Sequence, residues 1–218
     1  MSIKENIVQL QKNIPDTVTL VAVSKTKPVA AIQEAYDSGQ RIFGENKIQE
    51  MSEKWEQLPK DIQWHMIGHV QTNKVKFMIP YVTLIHSADR RKLFKEINKQ
   101  AALAHRTVDV LLQVKIAQED TKYGMPLTEA TALLEGNQLD QYPNVRVVGL
   151  MGMASFTDDM TQVATEFQVL EKLFIRFRES KNLSTLSMGM SGDYQLAIEN
   201  GSTMVRVGSA IFGARNYH

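Results

Sequence analysis

Short β-branched runs alternate with longer amphipathic segments along this 218-residue chain, and that alternation limits its possible folds more than any other property. The strand-like runs fall at 18–23, 41–44, 63–67, 82–86, 108–116, 145–151, 185–188 and 204–207. Apolar residues recur at helical spacing over 29–38, 47–57, 90–105, 127–135, 160–180 and 194–200, with a weaker segment at 72–78. Strands that return through helices pair in parallel, because a parallel neighbour needs a crossover connection. Eight such units at about 27 residues each match a closed (β/α)8 TIM barrel, slightly lean beside the usual ~250 residues. An open doubly wound sheet has the same local signals. The N-terminal segment MSIKENIVQLQKN reads as an extra helix ahead of the first strand. Asp89 is placed to cap the helix beginning at Arg90, and Asn200-Gly201 to stop the helix before the last strand. No Gly-, Pro- or Ser-rich linker interrupts the pattern, so one domain over 1–218 is expected.

Composition removes several classes of function. Lys and Arg number 25 against 24 Asp and Glu, a net charge of +1, without the basic excess of a nucleic-acid or anionic-membrane binder. No apolar run approaches the ~18–20 residues of a membrane span, and the N-terminus lacks a signal peptide's apolar centre. There is no cysteine, which excludes disulfides, thiol catalysis and cysteine-ligated metal. A soluble cytoplasmic protein is expected.

In a (β/α)8 barrel the working residues stand where strands end and βα loops begin. Two such loops are rich in Gly and Ser: Gly189, Ser191 and Gly192 after the seventh strand, and Gly208 and Ser209 after the eighth. Gly lets backbone N–H groups approach an anion and Ser adds hydroxyl donors, at the recurrent phosphate position of this fold. As ordinary turns, the same residues would simply be caps. Lys25 ends the first strand on the side shared by Thr19, Val21 and Val23. At the rim of an apolar interior its ammonium is disfavoured, and the neutral amine can form a Schiff base with an aldehyde. Lys27 reads instead as a surface lysine reaching water. Arg206, on the eighth strand, would lie between the phosphate loops and Lys25 once the first and eighth strands meet on closure. A planar aldehyde bearing a phosphate would bridge them, and pyridoxal phosphate has that shape. A guanidinium accepts no proton and disfavours a pyridinium, so a ring held over Arg206 would be a poor electron sink.

These residues lie within a set of motifs: VAVSKTKP at 21–28, FGEN at 43–46, WHMIG at 64–68, QTNK at 71–74, SADR at 87–90, VVGLMGM at 147–153, SMGMSGD at 187–193 and MVRVGSAIFGAR at 204–215. In this order they resemble the pyridoxal phosphate homeostasis proteins, relatives of the N-terminal barrel of alanine racemase, a fold-type III pyridoxal phosphate-binding fold. The resemblance implies that Lys25 is the aldimine lysine, that Arg206 faces the pyridine nitrogen and that Asn46 lines the ring. It implies that Ser191, Gly192, Gly208 and Ser209 cradle the phosphate. Asn46 emerges only from the resemblance. Lys47, His69 and Lys115 depart from the family pattern of tyrosine, proline and asparagine at those positions, and Lys47 and Lys115 would add positive charge near the barrel mouth.

The remaining candidates are plainer. His65 and His69 are four apart but run from a strand into a loop, so no metal site is expected and His65 reads as a hydrogen-bonded residue near the ring. The methionines, Met151, Met153, Met188 and Met190 among them, read as core filling, and Phe167, Leu170, Phe174 and Phe177 as a helix packed on the sheet. The resemblance implies a carrier that holds and delivers pyridoxal phosphate to apo-enzymes without robust turnover, and a monomer is expected. A racemase-like enzyme is the alternative, although the chain has no residues left for the second domain that supplies the opposing tyrosine. A Schiff-base aldolase shares the barrel but not these motifs.

Overall fold

The computed structural model describes residues 2–119 and 123–213. Lys122, the Ala214-Arg215 end of the last motif and the tail to His218 lie outside the described residues. The chain opens with α1 (Ile3–Asn13), whose start is fixed by a capping box: Ser2 Oγ accepts the Glu5 N–H and the Glu5 carboxylate accepts the Ser2 N–H.

Eight strands follow: β1 (Thr19–Val23), β2 (Ile42–Glu45), β3 (Gln63–Met66), β4 (Val82–Ala88), β5 (Val108–Gln113), β6 (Val145–Met151), β7 (Thr185–Ser187) and β8 (Met204–Val207). Between or after them run α2 (Val29–Asp37), α3 (Ile48–Gln57), α4 (Val75–Met78), α5 (Arg91–Leu103), α6 (Leu127–Glu135), α7 (Met160–Phe177), α8 (Tyr194–Glu199) and α9 (Ser209–Phe212). The strands pair in parallel in chain order, and β8 returns to β1 to close the barrel. The expected barrel therefore forms, and the open sheet does not. No helix among the described residues is long and apolar enough to cross a membrane.

Strand alternation sorts side chains into two cores. Outward residues such as Phe43, Trp64, Ile85 and Leu112 join Phe167, Leu170, Phe174 and Phe177 of α7 in the layer between sheet and helices. Inward residues Val21, Leu84, Leu111, Met151 and Met204 fill the barrel. Two positions further along three of these strands the inward residue turns polar: Leu84 is followed by His86, Leu111 by Gln113 and Met204 by Arg206. The interior is thus apolar below and polar towards the C-terminal mouth. Met151 and Met188 are buried, as expected of gap-filling residues.

Some local expectations fail. Asp89 does not cap α5: Arg90 occupies that position without a side-chain cap, and Asp89 instead pairs with Arg90 Nη1. The next side chain offers a full charge, and a guanidinium outcompetes a helix N–H for the carboxylate. The weak segment at 72–78 divides into a 3-10 turn, Thr72–Lys74, and the single-turn α4. The fifth strand stops at Gln113, after which Val114 bridges only to Met125. The Asn200-Gly201 stop is observed, with Gly201 at φ +83°.

Candidate functional site at the barrel mouth

Barrel closure sets the first relationship of the site. β1 and β8 pair with Val21 opposite Arg206, so Arg206 shares the inward face of Val21, and Lys25 follows two residues past the end of β1. Arg206 is 3% exposed, and burial lowers its pKa to about 10, which leaves it charged at neutral pH. Its Nη1 donates to Ser187 Oγ at 2.5 Å and its Nη2 to the Gly152 carbonyl at 3.0 Å.

Ser187 continues a chain of buried polar side chains. His86 Nδ1 lies 3.0 Å from Ser187 Oγ, and His65 Nδ1 lies 3.0 Å from His86 Nε2. A guanidinium only donates, so the assignment that uses each group once runs from Arg206 through the Ser187 hydroxyl to His86 Nδ1. His86 Nε2–H then donates to His65 Nδ1. Burial holds His65 neutral, with its pKa pushed down to about 3, and drives His86 well below the usual imidazole value, helped by the charge of Arg206. His69 shares none of this: it stacks on Tyr123 and sits 3.5 Å from Asp89. No group of potential metal ligands occurs among the described residues.

Lys25 is half-buried within a tight turn. The Lys27 N–H donates to the Ser24 carbonyl at 3.0 Å, which places Lys25 and Thr26 at its two central positions. Thr26 has φ +63°, a left-handed conformation that costs a non-glycine residue on the order of 1–3 kcal/mol. Lys27 is not the solvent-facing lysine expected. Its Nζ donates to the carbonyls of Phe212 and Gly213 at 3.0 and 3.2 Å, satisfying the end of α9.

Asn46 follows β2, and Gly68 lets the loop after β3 lie against it: a Cβ on Gly68 would come within 2.7 Å of Asn46 Cα. Asn46 Oδ1 is buried and has no hydrogen-bond partner among the described residues. Such an acceptor calls for a donor that the protein does not supply.

The loops after β7 and β8 are tied together by the Gly208 N–H, which donates to Ser191 Oγ at 3.1 Å. Gly189, at φ +96°, turns the first loop, and Asp193 Oδ1 holds the Met190 N–H at 2.5 Å. Among the described residues, the N–H groups of Ser191, Gly192, Ser209 and Ala210 have no acceptor, and the space over Gly192 is open. The helices behind these loops have six and four residues, so the cradle consists of amides and hydroxyls rather than a helix dipole. Four amides and an Asn46 oxygen without partners among the described residues, with two hydroxyls and a lysine on one mouth, fit a phosphorylated aldehyde such as pyridoxal phosphate. Lys47 and Lys115 both follow strand ends on this face.

The sequence-expected residues Lys25, Asn46, Ser191, Gly192, Gly208 and Ser209 all follow the C-terminal ends of β1, β2, β7 and β8, and Arg206 lies just below the end of β8. His86 and Ser187 were not foreseen. Alternation after Leu84 would have flagged His86 as inward, but nothing local marks Ser187.

The family described as the alanine racemase N-terminal domain matches residues 1–216. The Pasteurella multocida protein named pyridoxal phosphate homeostasis protein is 38% identical, covering 100% of this chain and 99% of its own. Its namesake from Escherichia coli is 37% identical over 93% of this chain and 88% of its own. The structure of PipY from Synechococcus elongatus with PLP bound superposes with a TM-score of 0.88 at 34% identity, covering 97% of this chain and 100% of that one. Alanine racemase from Streptomyces lavendulae shares the fold, at TM-score 0.82 and 15% identity, over 57% of its length.

Proposed function

Because this chain belongs to the alanine racemase N-terminal domain family, among the pyridoxal phosphate homeostasis proteins, we propose that it binds pyridoxal phosphate covalently and buffers its supply to apo-enzymes in the cytoplasm, without robust turnover of its own. The proposal treats 1–218 as one cofactor-binding unit acting as a monomer. The observation that carries it is the meeting of Lys25, Asn46, Arg206 and the two Gly/Ser loops on one mouth.

When bound, pyridoxal phosphate supplies an aldehyde whose carbon takes a lysine nitrogen while its oxygen leaves as water. Lys25, half-buried at the mouth, is the amine for that bond. Ser191, Gly192 and Ser209 hold the phosphate through amides and hydroxyls, and Gly208, whose N–H is bound to Ser191 Oγ, fixes one loop against the other. Asn46 offers its unmatched oxygen to the ring substituents. Arg206, a donor still charged at neutral pH, would face the ring nitrogen, where it would neither take up a proton nor favour one. These groups bind and orient. Of these groups only the Lys25 amine can accept a proton, so none of the others serves as a second acid–base partner for chemistry at a substrate carbon.

The test is direct. The protein is incubated with pyridoxal phosphate, reduced with borohydride, digested and mapped by mass spectrometry. The pyridoxyl group is expected on Lys25, and Lys25→Ala should remain folded without it. An adduct mainly on Lys27 or Lys122 overturns the assignment. Mixing the loaded protein with an apo-enzyme should restore that enzyme's activity.

A further inference from the structure

Behind the turn that carries Lys25 lies a buried ionic cluster that the proposed binding chemistry does not use. Lys54, on α3, is 5% exposed. Its Nζ donates to Glu45 Oε1 at 2.7 Å, to Glu50 Oε1 at 2.7 Å and to the Ser24 carbonyl at 2.8 Å. Glu45 Oε1 also accepts the Ser24 hydroxyl at 2.6 Å. Glu50 Oε1 accepts the Thr26 N–H at 2.6 Å. Both neighbours of Lys25 in sequence are therefore gripped by one cluster. On one side it takes the hydroxyl and carbonyl of Ser24, and on the other the amide of Thr26.

The grip matters because the turn is strained. Thr26 is β-branched and stands at φ +63°, at the second central position of the turn, where Gly ordinarily serves. Released from an acceptor, its amide would let the residue relax towards negative φ. That relaxation would re-aim the Lys25 side chain, since the two residues share a peptide plane. The Glu50 carboxylate meets that amide, and Lys54 fixes the carboxylate in turn. Glu45 anchors Lys54 from the floor of the site, at the end of β2.

We infer that Glu50, held by Lys54 and Glu45, is a positioning residue that clamps Thr26 in its left-handed conformation and so aims the Lys25 amine into the barrel mouth. This rests on Lys25 being the attachment site. The clamp stores its effect in the backbone, which separates it from a merely structural ion pair. If Glu50 acts only by stabilising α3, nothing done at residue 26 should compensate for its loss. If it acts by holding Thr26, a glycine there should make it dispensable.

The experiment compares wild type with Glu50→Ala, Glu50→Gln, Thr26→Gly and the Glu50→Ala/Thr26→Gly pair. Amide exchange in the cofactor-free protein is measured for the peptide spanning the turn, and the rate of borohydride-trapped pyridoxyl incorporation at Lys25 is measured in parallel. Glu50→Ala should speed exchange at the Thr26 amide and slow capture at Lys25 by about tenfold, as expected for a misaimed nucleophile. Glu50→Gln, which keeps the acceptor, should lie near wild type. Adding Thr26→Gly should restore most of the lost capture rate without restoring slow exchange. Unchanged exchange and capture in Glu50→Ala, or no recovery in the pair, overturns the clamp. Wild-type protein that captures the cofactor elsewhere than Lys25 overturns the attachment reading instead, and the exchange comparison then still decides whether Glu50 holds Thr26.

Discussion

Arg206 Nη1 donates to Ser187 Oγ at 2.5 Å, and through that bond one guanidinium joins two buried histidines across the barrel from β8 to β3. Removing the serine hydroxyl leaves a guanidinium N–H and a histidine nitrogen without partners in a dry interior. Ser187→Ala should therefore destabilise the fold by roughly 1–3 kcal/mol, read from denaturant unfolding. It should also weaken pyridoxal phosphate binding, because Arg206 loses one of the two side-chain hydrogen bonds that fix it among the described residues. A variant as stable as wild type would show that the chain carries no energy.

Acid should weaken the protein through the same chain. His65 has a folded pKa of about 3 against an ordinary 6.5, so the unfolded state binds more protons throughout that window. Stability is complete above pH 6.5 and falls as pH drops towards 3, by on the order of 1.4 kcal/mol per unit for this residue once the unfolded histidine is protonated. His86 shifts in the same direction. Glu45, whose carboxyl burial raises, acts oppositely in the acid range. Unfolding free energies measured between about pH 5.5 and 7.5 should rise with pH, and His65→Asn should flatten that slope. Equal slopes in the two proteins would exclude His65 as the source.

The phosphate should dominate affinity. A dianion meeting several amides and hydroxyls gains roughly 1.5–3 kcal/mol per charge-assisted bond. Pyridoxal lacking its phosphate should therefore bind at least about a hundredfold more weakly, as titration would read. Equal binding of the two forms would mark the loops after β7 and β8 as ordinary turns.

Gly68→Ala should disturb Asn46 without touching Lys25. The new Cβ would press on the Asn46 carbonyl oxygen and within 2.7 Å of its Cα, both backbone atoms with little room to yield. Overpacking of this kind costs typically ~1–3 kcal/mol, and the melting temperature should fall accordingly. Capture at Lys25 should persist with a weakened equilibrium affinity. Loss of capture itself would place Asn46 closer to the bond-forming step than its position implies.

Catalysis should be negligible. With a donor-only guanidinium for the ring nitrogen, and no proton acceptor besides Lys25 among the residues assigned to the site, amino acids should exchange with Lys25 for the bound aldehyde but keep their α-protons. Proton exchange into deuterated solvent, with Lys25→Ala as the blank, measures this for each amino acid. Multiple-turnover exchange that requires Lys25 would promote the racemase-like alternative.

The sequence by itself determined the eight alternating units and much of the mouth, whereas the pairing of β8 with β1 decided a closed barrel over an open sheet. The alternation of periods two and 3.6 is a local signal, and it specifies eight crossover units. Lys25, Arg206 and the Gly/Ser loops were legible because strand ends are the working positions of a βα barrel, and Asn46 because its motif matched a family. Only the tertiary structure decided the rest. Glu50 and Lys54 stand at the ordinary i, i+4 spacing of a surface helix pair, and nothing in that spacing says that Lys54 is buried against Ser24 and Glu45. Ser187 looks like any short-strand serine until β7 and β8 bring it under Arg206. Asp89 had the right type and place for a cap but found a guanidinium instead. Periodicity is written within a dozen neighbouring residues. Burial and pairing depend on which strands close beside each other, and closure joins residues as far apart in sequence as Val21 and Arg206.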